Sequence, residues 1–443
     1  GRVSRASGKT VWNIPRMCLF SEKYPFMGCM WRKLPSVNKH SIMLSGSVIS
    51  NDMVEIYDYF IDRNLMELLS DTGINDYTKS VRLNFKIRDL WNRLVLDVPE
   101  NEFAKALDSL YVNHVGEVIL DSLLSKWNRR WHVSLDSAQS EWLLSRHNHY
   151  FRCRSFKKYV SKEKGLQKVE GMVYNAGREG GLVGVECSSW RENTYFNAFV
   201  EAGEAKRFSV VRSLDGYAED MGFFMGLSAN RPLVIDFEEE SCSEDVASHW
   251  HVGSCWETIT EEEFMANEAA NEYVVDDSDA DFELVDANKT MIQHYFPPKH
   301  SYRTLQGGHT NCWKDVLGTR FQGDSIRGAR IISGGNGKST ATWRATLPKG
   351  YYDVQVFVYK SLTIPGASLP SVINHYTVYY GDEQEEIALS LDEALGNKQQ
   401  GWVSLGNFDF PGGGVKITLS NKENNQNQDI AIIADAVKFV RLE

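Results

Sequence analysis

The C-terminal third of the chain decides the fold, and it closes with Ile430–Ala–Ile–Ile–Ala–Asp435–Ala–Val–Lys–Phe–Val–Arg–Leu442. Three further blocks precede it: Gly337–Lys–Ser–Thr–Ala–Thr–Trp343, Gly350–Tyr–Tyr–Asp–Val–Gln–Val–Phe–Val–Tyr359 and Gly401–Trp–Val–Ser–Leu–Gly406. Alternation of apolar and polar residues, as in the first of these blocks, is typical of strands that bury one face. Downstream of Trp402 the alternation changes parity, which predicts a β-bulge near Gly406. We therefore predict a C-terminal β-sandwich over residues 286–443.

The order and spacing of these four blocks resemble the golvesin C-terminal-like domain over about residues 295–443. That domain is a β-sandwich appended to large secreted or envelope proteins, often from Bacteroidota and often beside xanthan-lyase-type regions. The resemblance implies a binding or packing module rather than a catalyst. It also implies an extracytoplasmic location, in the periplasm, at the cell surface or secreted.

Length and composition limit the classes of protein to which the chain can belong. Its 443 residues are enough for about three domains, and its 42% hydrophobic and 24% charged content is that of a globular protein. A net charge of −11 argues against nucleic acid as a partner. We predict no membrane span, since no apolar run is long enough to cross a bilayer. No secretory leader is visible either, and we expect that Gly1 is not the natural start of the protein.

The seven cysteines are odd in number and widely spaced, which does not fit a disulfide framework. One bridge is conceivable, between Cys242 and Cys255. Free buried thiols are the alternative, and cysteine is among the residues most often buried without a partner.

Upstream of the predicted sandwich, the chain divides into four segments, so that the whole is predicted to be an α+β multidomain protein. Residues 1–50 are predicted to be irregular or β. Residues 51–150 carry apolar side chains at three- and four-residue steps, for example Met53, Ile56 and Phe60, which predicts a helical array with one helix from about Val118 to Trp131. Short alternating runs with glycine-rich turns predict a small immunoglobulin-like β-sandwich over 151–237.

The fourth segment, residues 238–285, is dense in Asp and Glu. No Lys or Arg occurs between Arg231 and Lys289. A block of one charge sign predicts a solvated, extended connector between the two β regions.

A second resemblance covers about residues 80–237. Phe103-x-x-Ala106–Leu107, a closing Trp142–Leu143 pair and Val173–Tyr–Asn–Ala–Gly177 are similar to the non-catalytic C-terminal region of gluzincin aminopeptidase-like proteins. The zinc-binding histidines and glutamate base of that family have no counterpart here. The resemblance implies a C-terminal part of a longer peptidase-like protein, or a relative without the enzyme.

No motif in the sequence assigns a catalytic residue, a metal ligand or a cofactor. Asp277-x-Asp279-x-Asp281 begins like an EF-hand calcium loop, but Phe282 stands where glycine is needed and Asn288 where glutamate is needed. We therefore interpret these acids as solvated, and leave a looser extracellular calcium site as the alternative. The glycine-rich run at 334–339 precedes a strand rather than a helix, so it is interpreted as a hairpin turn and not as a phosphate loop.

One loop of the C-terminal sandwich has the composition of a ligand site. His309, Asn311 and Trp313 combine an aromatic ring with polar side chains, which is what stacking on a sugar and hydrogen bonding to it require. The alternative is that Trp313 closes the edge of the sandwich as a core residue.

The sequence thus predicts a non-catalytic binding or scaffolding portion of an extracytoplasmic multidomain protein, whose C-terminal sandwich binds a polysaccharide or an envelope protein. One alternative is the C-terminal portion of a peptidase-like envelope protein with its zinc-binding domain upstream. The other alternative is a carbohydrate-active enzyme.

Overall fold

The structure is a computed structural model. It describes mainly residues 151–188, 194–214, 220–226, 234–241, 247–266, 271–287, 311–323, 326–360, 372–381, 383–423 and 430–442, with shorter stretches at 17–20, 63–79 and 116–132 and scattered single positions. The chain forms two compact units, the first mainly from residues before Thr260 and the second mainly from residues 260–443. None of the described helices has the length and apolar character that crossing a bilayer requires.

The first unit is built mostly from strands. Its elements are β1 (Met17–Phe20), α1 (Leu65–Ser70), β2 (Gly116–Ile119), α2 (Leu120–Trp131), β3 (Phe151–Ser161), β4 (Leu166–Asn175), β5 (Gly181–Ser188), β6 (Thr194–Val200), β7 (Ala205–Ser213), β8 (Asp220–Met225), β10 (Glu238–Glu240) and β11 (Gly253–Ile259). Strand β9 (Val234–Asp236) falls on the boundary, since residues 230–235 are grouped with the second unit. One sheet has the strand order β10-β3-β4-β7-β11. In another, β5 pairs with both β6 and β8. Rings of Phe156, Phe208 and Phe223 pack against one another in the core, with centroids 4.7–5.4 Å apart.

The prediction of an α+β protein with a helical array over 51–150 was wrong. The described residues of that segment contain the short helix α1 and the twelve-residue helix α2, but no array of packed helices. The helix expected from Val118 begins at Leu120, since Gly116–Ile119 pairs in parallel with Met17–Phe20 as a strand. Apolar residues at helical spacing show which face of a helix would be buried, but they do not show that other helices lie against it.

The acidic stretch is not simply a connector, because it contributes strands to both units. In the first unit, Glu239 and Glu240 of β10 lie beside the lysines of β3, with Lys158 Nζ 3.6 Å from Glu239 and Lys157 Nζ 3.7 Å from Glu240. Strand β11 pairs along its whole length with β7. The charge pattern suggested self-repulsion, whereas cations from a distant strand offset it in the fold.

The described residues of the second unit form three sheets. Its elements are α3 (Glu261–Ala266), β12 (Glu272–Val275), β13 (Phe282–Val285), β14 (Lys314–Leu317), β15 (Gly328–Ser333), β16 (Thr340–Leu347), β17 (Gly350–Tyr359), β18 (Ile373–Tyr380), β19 (Glu383–Ser390), α4 (Leu391–Leu395), β20 (Gln400–Phe410), β21 (Gly413–Ser420), β22 (Ala431–Ala434) and β23 (Val437–Arg441). Sheet I has the order β12-β23-β17-β20, sheet II β13-β16-β21-β18-β19 and sheet III β14-β15-β22. The predicted β-sandwich character of this part of the chain is confirmed.

Large aromatic side chains from sheets I and II form the main core of this unit. Trp343, Tyr352, Tyr376, Phe410 and Phe439 are each at most 2% exposed. Each comes from a different strand: β16, β17, β18, β20 and β23. The indole Nε1 of Trp343 also donates a hydrogen bond, 3.0 Å long, to the backbone carbonyl of Asp435.

The bulge predicted near Gly406 is confirmed. Across β17 and β20, Val354 pairs with Gly406 but Gln355 pairs with Ser404, so Leu405 is the extra residue. The bulge lets Leu405 contact the core while Trp402, the cross-strand partner of Phe357, stays outside the main core and partly exposed.

The two tryptophans should therefore differ in their effect on stability. We expect Trp343→Ala to lower the free energy of unfolding by about 3–5 kcal/mol, because it empties a fully buried site. Trp402→Ala should cost less than about 2 kcal/mol, because its ring is already partly exposed. Urea unfolding followed by circular dichroism measures both, and equal costs for the two variants would contradict this assignment of core and surface.

Candidate metal centre

Two corners of the chain meet inside the second unit, and each carries acidic residues. At the first corner the chain leaves β12 of sheet I, passes through Asp276–Asp279 and enters β13 of sheet II. At the second it leaves β22 of sheet III, passes through Asp435 and Ala436 and enters β23 of sheet I. The acids therefore lie where the backbone changes sheets and where the strand pairing of each sheet ends.

Three carboxylates converge at this junction, which we call the acidic pocket: Asp276, Asp277 and Asp435. One carboxylate oxygen from each lies within 4.8 Å of the others. Their exposed fractions are only 7%, 5% and 1%. The Oδ1 atoms of Asp276 and Asp277 are buried and have no hydrogen-bond partner. An unsatisfied buried oxygen is costly, so its presence in a fold needs an explanation.

The remaining oxygens of the acidic pocket are held in place by the protein. Asp276 Oδ2 accepts two hydrogen bonds from Ser278, one from the Ser278 hydroxyl at 2.6 Å and one from the Ser278 backbone nitrogen at 3.3 Å. Both oxygens of Asp435 lie 3.3 Å from the backbone nitrogen of Gln322, which donates to them. Asp277 Oδ2 lies 3.0 Å from Arg330 Nε. The carboxylates are thus oriented before any ligand arrives.

Gly323 brings backbone close to the acidic pocket. Its φ is +122°, and a Cβ built there would lie 2.0 Å from the Ile326 carbonyl oxygen and 3.3 Å from Asp276 Oδ2. Any other residue would fill this space and would be strained in that backbone conformation. A glycine here keeps room beside the carboxylates.

The electrostatic state of the acidic pocket follows from burial and mutual repulsion. Burial raises the pKa of Asp276 to about 6. Burial and the neighbouring Asp276 raise the pKa of Asp277 to about 8, even though Arg330 acts in the opposite direction. Burial also raises the pKa of Asp435 well above its usual range, and Asp276 and Asp277 add to the effect.

Two arginines act on the three carboxylates: Arg330 lies beside Asp277, and Arg327 opposes the rise in the pKa of Asp435. Arg330 also pairs with Asp315, so its charge is shared with a fourth acid. Two arginines facing four acids leave the folded pocket negatively charged unless it binds protons or a further cation.

The donor set favours a hard cation. All three side chains offer oxygen atoms, which suit Ca²⁺ and Mg²⁺, and none offers the sulfur or nitrogen that zinc and copper sites use. Ca²⁺ accepts irregular oxygen geometry, whereas Mg²⁺ demands a near-ideal octahedron. Three carboxylates from two unrelated corners fit Ca²⁺ better.

None of the residues predicted from the sequence to bind a ligand is among the three carboxylates of the acidic pocket. Trp313 is only 8% exposed and belongs to the main core of the unit, with its backbone nitrogen 3.2 Å from Asp286 Oδ2. Asn311 is exposed, and His309 lies outside the described residues. A role of this loop in binding stays a prediction. Elsewhere, Cys255 is a free, exposed thiol, which removes the one disulfide considered.

Sequence reasoning found only part of the acidic pocket. Its interpretation of solvated acids fits Asp279 and Asp281, which are exposed, but it is wrong for the buried Asp277. Asp276 and Asp435 were missed. A signal for Asp435 was available, because it is the only acid in the apolar run 430–437, and such an acid is carried into the interior with its neighbours.

Comparison with known proteins does not establish a family for the chain. Residues 287–344 match a family model described as bacterial toxin 35, which covers less than half of the chain. No curated protein matches. The golvesin-like assignment therefore stays a prediction.

Similar solved structures include carbohydrate-active enzymes. A Paenibacillus xanthan lyase matches 62% of this chain and 23% of its own, at 12% identity and a TM-score of 0.27. A Podospora anserina GH26-CBM35 β-(1,4)-mannanase matches 39% and 28%, at 12% identity and a TM-score of 0.22. A Bacteroides uniformis β-glucuronidase matches 69% and 31%, at 10% identity and a TM-score of 0.20. The chain thus spans less than a third of the length of each.

The pKa shifts predict how stability depends on pH in the absence of divalent cations. The folded-state pKa values of Asp276 and Asp277 exceed the unfolded value of about 3.9. Between about pH 4 and pH 8 the folded chain therefore binds more protons than the unfolded chain, and its stability falls as pH rises. Calorimetric melting in EDTA should show the second unit losing thermal stability from pH 5 to pH 8.

Added Ca²⁺ should counter this loss, because a bound cation favours the deprotonated carboxylates. Asp277→Asn should make the melting temperature in EDTA depend less on pH, since it removes the carboxyl with the higher pKa of the two, Asp276 and Asp277. A melting temperature that stays constant in EDTA over this range would show that the acidic pocket does not take up protons on folding.

Proposed function

We propose that the second unit is a Ca²⁺-stabilised β-sandwich binding module in the non-catalytic portion of an extracytoplasmic multidomain protein. The observation that carries the proposal is the acidic pocket, in which two Asp side chains bury oxygens without a hydrogen-bond partner. The partner of such a module is a polysaccharide or an envelope protein.

The energetic argument for a cation rests on the cost of burying charge. Three carboxylates within 4.8 Å of one another repel, and burial removes the water that would otherwise solvate them. Protonation relieves this at low pH, whereas a divalent cation relieves it at neutral pH. Extracellular calcium modules bind their ion with dissociation constants of about 10⁻⁴–10⁻³ M, which suits a location outside the cytoplasm.

The position of the acidic pocket suggests a structural rather than a catalytic role for the cation. Asp276 and Asp277 follow β12, the first described strand after Thr260, and Asp435 precedes β23, the last described strand. A cation held between them ties the two ends of the module together and closes a long loop of chain. The pocket is also nearly inaccessible, with Asp435 only 1% exposed, so a substrate could not reach the ion without rearrangement.

Calcium titration of a paired set of variants tests the proposal. The variant Asp276→Asn/Asp435→Asn keeps the shape of the acidic pocket but removes two charges. At pH 8 in EDTA it should melt at or above the wild-type temperature, because the burial cost is gone. In 5 mM Ca²⁺ only the wild type should be stabilised, by about 1–3 kcal/mol for a site that is close to saturation.

The matched control is Asp281→Asn, an exposed acid a few residues from the acidic pocket. It should bind Ca²⁺ and melt like the wild type. Isothermal titration calorimetry that detects no Ca²⁺ binding to the wild type up to 10 mM would refute the proposal. So would a double variant that binds Ca²⁺ as well as the wild type does.

A further inference from the structure

Sheet I turns one face to the core and the other away from it, and the outward face has an unusual composition. Along β17, Tyr352, Val354 and Val356 are core residues, so the residues between them face outward. Six side chains on this outward face form one continuous group: Tyr351, Asp353, Gln355, Trp402, Ser404 and Lys438. We call this set the outer strip.

An aromatic ring marks each end of the outer strip. Tyr351 is 42% exposed at the start of β17. Trp402 is partly exposed and pairs across strands with Phe357, six residues further along. At about 3.3 Å per residue, the two ends lie about 20 Å apart. That span accommodates several consecutive residues of an extended polymer.

The ring of Trp402 is held in one orientation. The Phe357 ring meets it nearly perpendicularly, with centroids 5.4 Å apart. Lys438 Nζ lies 4.8 Å from its centroid. A ring fixed in this way loses little conformational freedom when a ligand stacks on it.

Between the two rings lies a hydrogen-bonded set of polar side chains. Asp353 accepts hydrogen bonds from Gln355 Nε2, at 2.6 Å, and from the Ser404 hydroxyl. The Ser404 hydroxyl oxygen accepts in turn from the backbone nitrogen of Gly406, at 3.1 Å. The middle of the outer strip is therefore polar and pre-oriented, whereas the centre of a protein–protein interface is typically apolar.

We infer that the outer strip binds a neutral polysaccharide, an inference that rests on the proposed role of the second unit as a binding module. A sugar ring presents an apolar CH face, which stacks on Trp402 or Tyr351, and a hydroxylated edge, which exchanges hydrogen bonds with Asp353 and Gln355. Lys438 is already paired with Glu272, at 3.7 Å, so the carboxylate of Asp353 dominates the charge of the strip. Repulsion by that carboxylate disfavours polymers of uronic acids.

Binding measurements on the full chain test the inference. Affinity electrophoresis in 5 mM Ca²⁺ would compare mannan, xylan, galactan and β-glucan with alginate and polygalacturonate. We expect binding to at least one neutral polymer and weaker or no binding to the acidic ones. Trp402→Ala and Tyr351→Ala should each weaken that binding by about tenfold or more, in line with the loss of one stacking contact. Tyr351→Ala keeps the test valid if Trp402→Ala unfolds the unit.

The control is Tyr379→Ala on sheet II, where Lys416 Nζ lies 3.6 Å from the ring centroid. This variant also removes an aromatic ring capped by a lysine, and it should bind like the wild type. The inference is wrong if no neutral polymer binds, if acidic polymers bind more tightly, or if Tyr379→Ala reduces binding as much as Tyr351→Ala does. Capture of a protein instead of a glycan would equally overturn it.

Calcium and polysaccharide binding can fail separately. If glycan binding persists in EDTA and no calcium binding is detected, the outer strip is supported as the glycan site and the proposed role of Ca²⁺ is refuted. If Ca²⁺ binds but no glycan does, the calcium site is supported and the outer strip is refuted as a glycan site.

Discussion

The second unit depends on gathering three carboxylates where its three sheets meet. Burying Asp276, Asp277 and Asp435 opposes folding, because each loses its hydration and each repels the others. The surrounding protein offsets part of this cost with Arg330 and with hydrogen bonds from Ser278 and Gln322. The remainder must come from protons or from a cation. The state of the acidic pocket thereby sets the conditions under which the sandwich is stable.

The side chain of Trp343 couples the main core to this junction. Trp343 is the largest fully buried residue among those the structure describes in this unit, and its indole donates a hydrogen bond to the backbone carbonyl of Asp435. The same indole fills the space between sheets I and II and holds the corner that leads into the last strand. Core packing and hydrogen bonding are therefore linked here. A substitution that removes the Trp343 ring also removes the hydrogen bond to the backbone carbonyl of Asp435.

The two faces of sheet I differ in composition and in packing. The inward side chains are apolar and close-packed, and they follow the pleat without interruption except at Leu405. This bulge keeps Trp402 and Ser404 outside while Leu405 and Phe408 contact the core, so that an aromatic ring and a hydroxyl lie on the same outward surface as Asp353. Without the bulge, strict alternation along β20 could not place Ser404 outside together with Trp402 and at the same time bring Leu405 and Phe408 to the core.

The sequence by itself determined the strand-rich C-terminal region and the bulge near Gly406, because alternation and parity are local properties of a strand. It did not distinguish the buried Trp343 from the partly exposed Trp402. It could not determine the secondary structure of residues 51–150 or the pairing of the acidic stretch. Residue spacing and charge do not show which distant strand pairs with a segment or which lysine neutralises its acids. The acidic pocket was decided only by the tertiary structure. Asp277 and Asp435 come from opposite ends of the unit, and their pKa values depend on a burial and a proximity that exist only once three sheets have packed together.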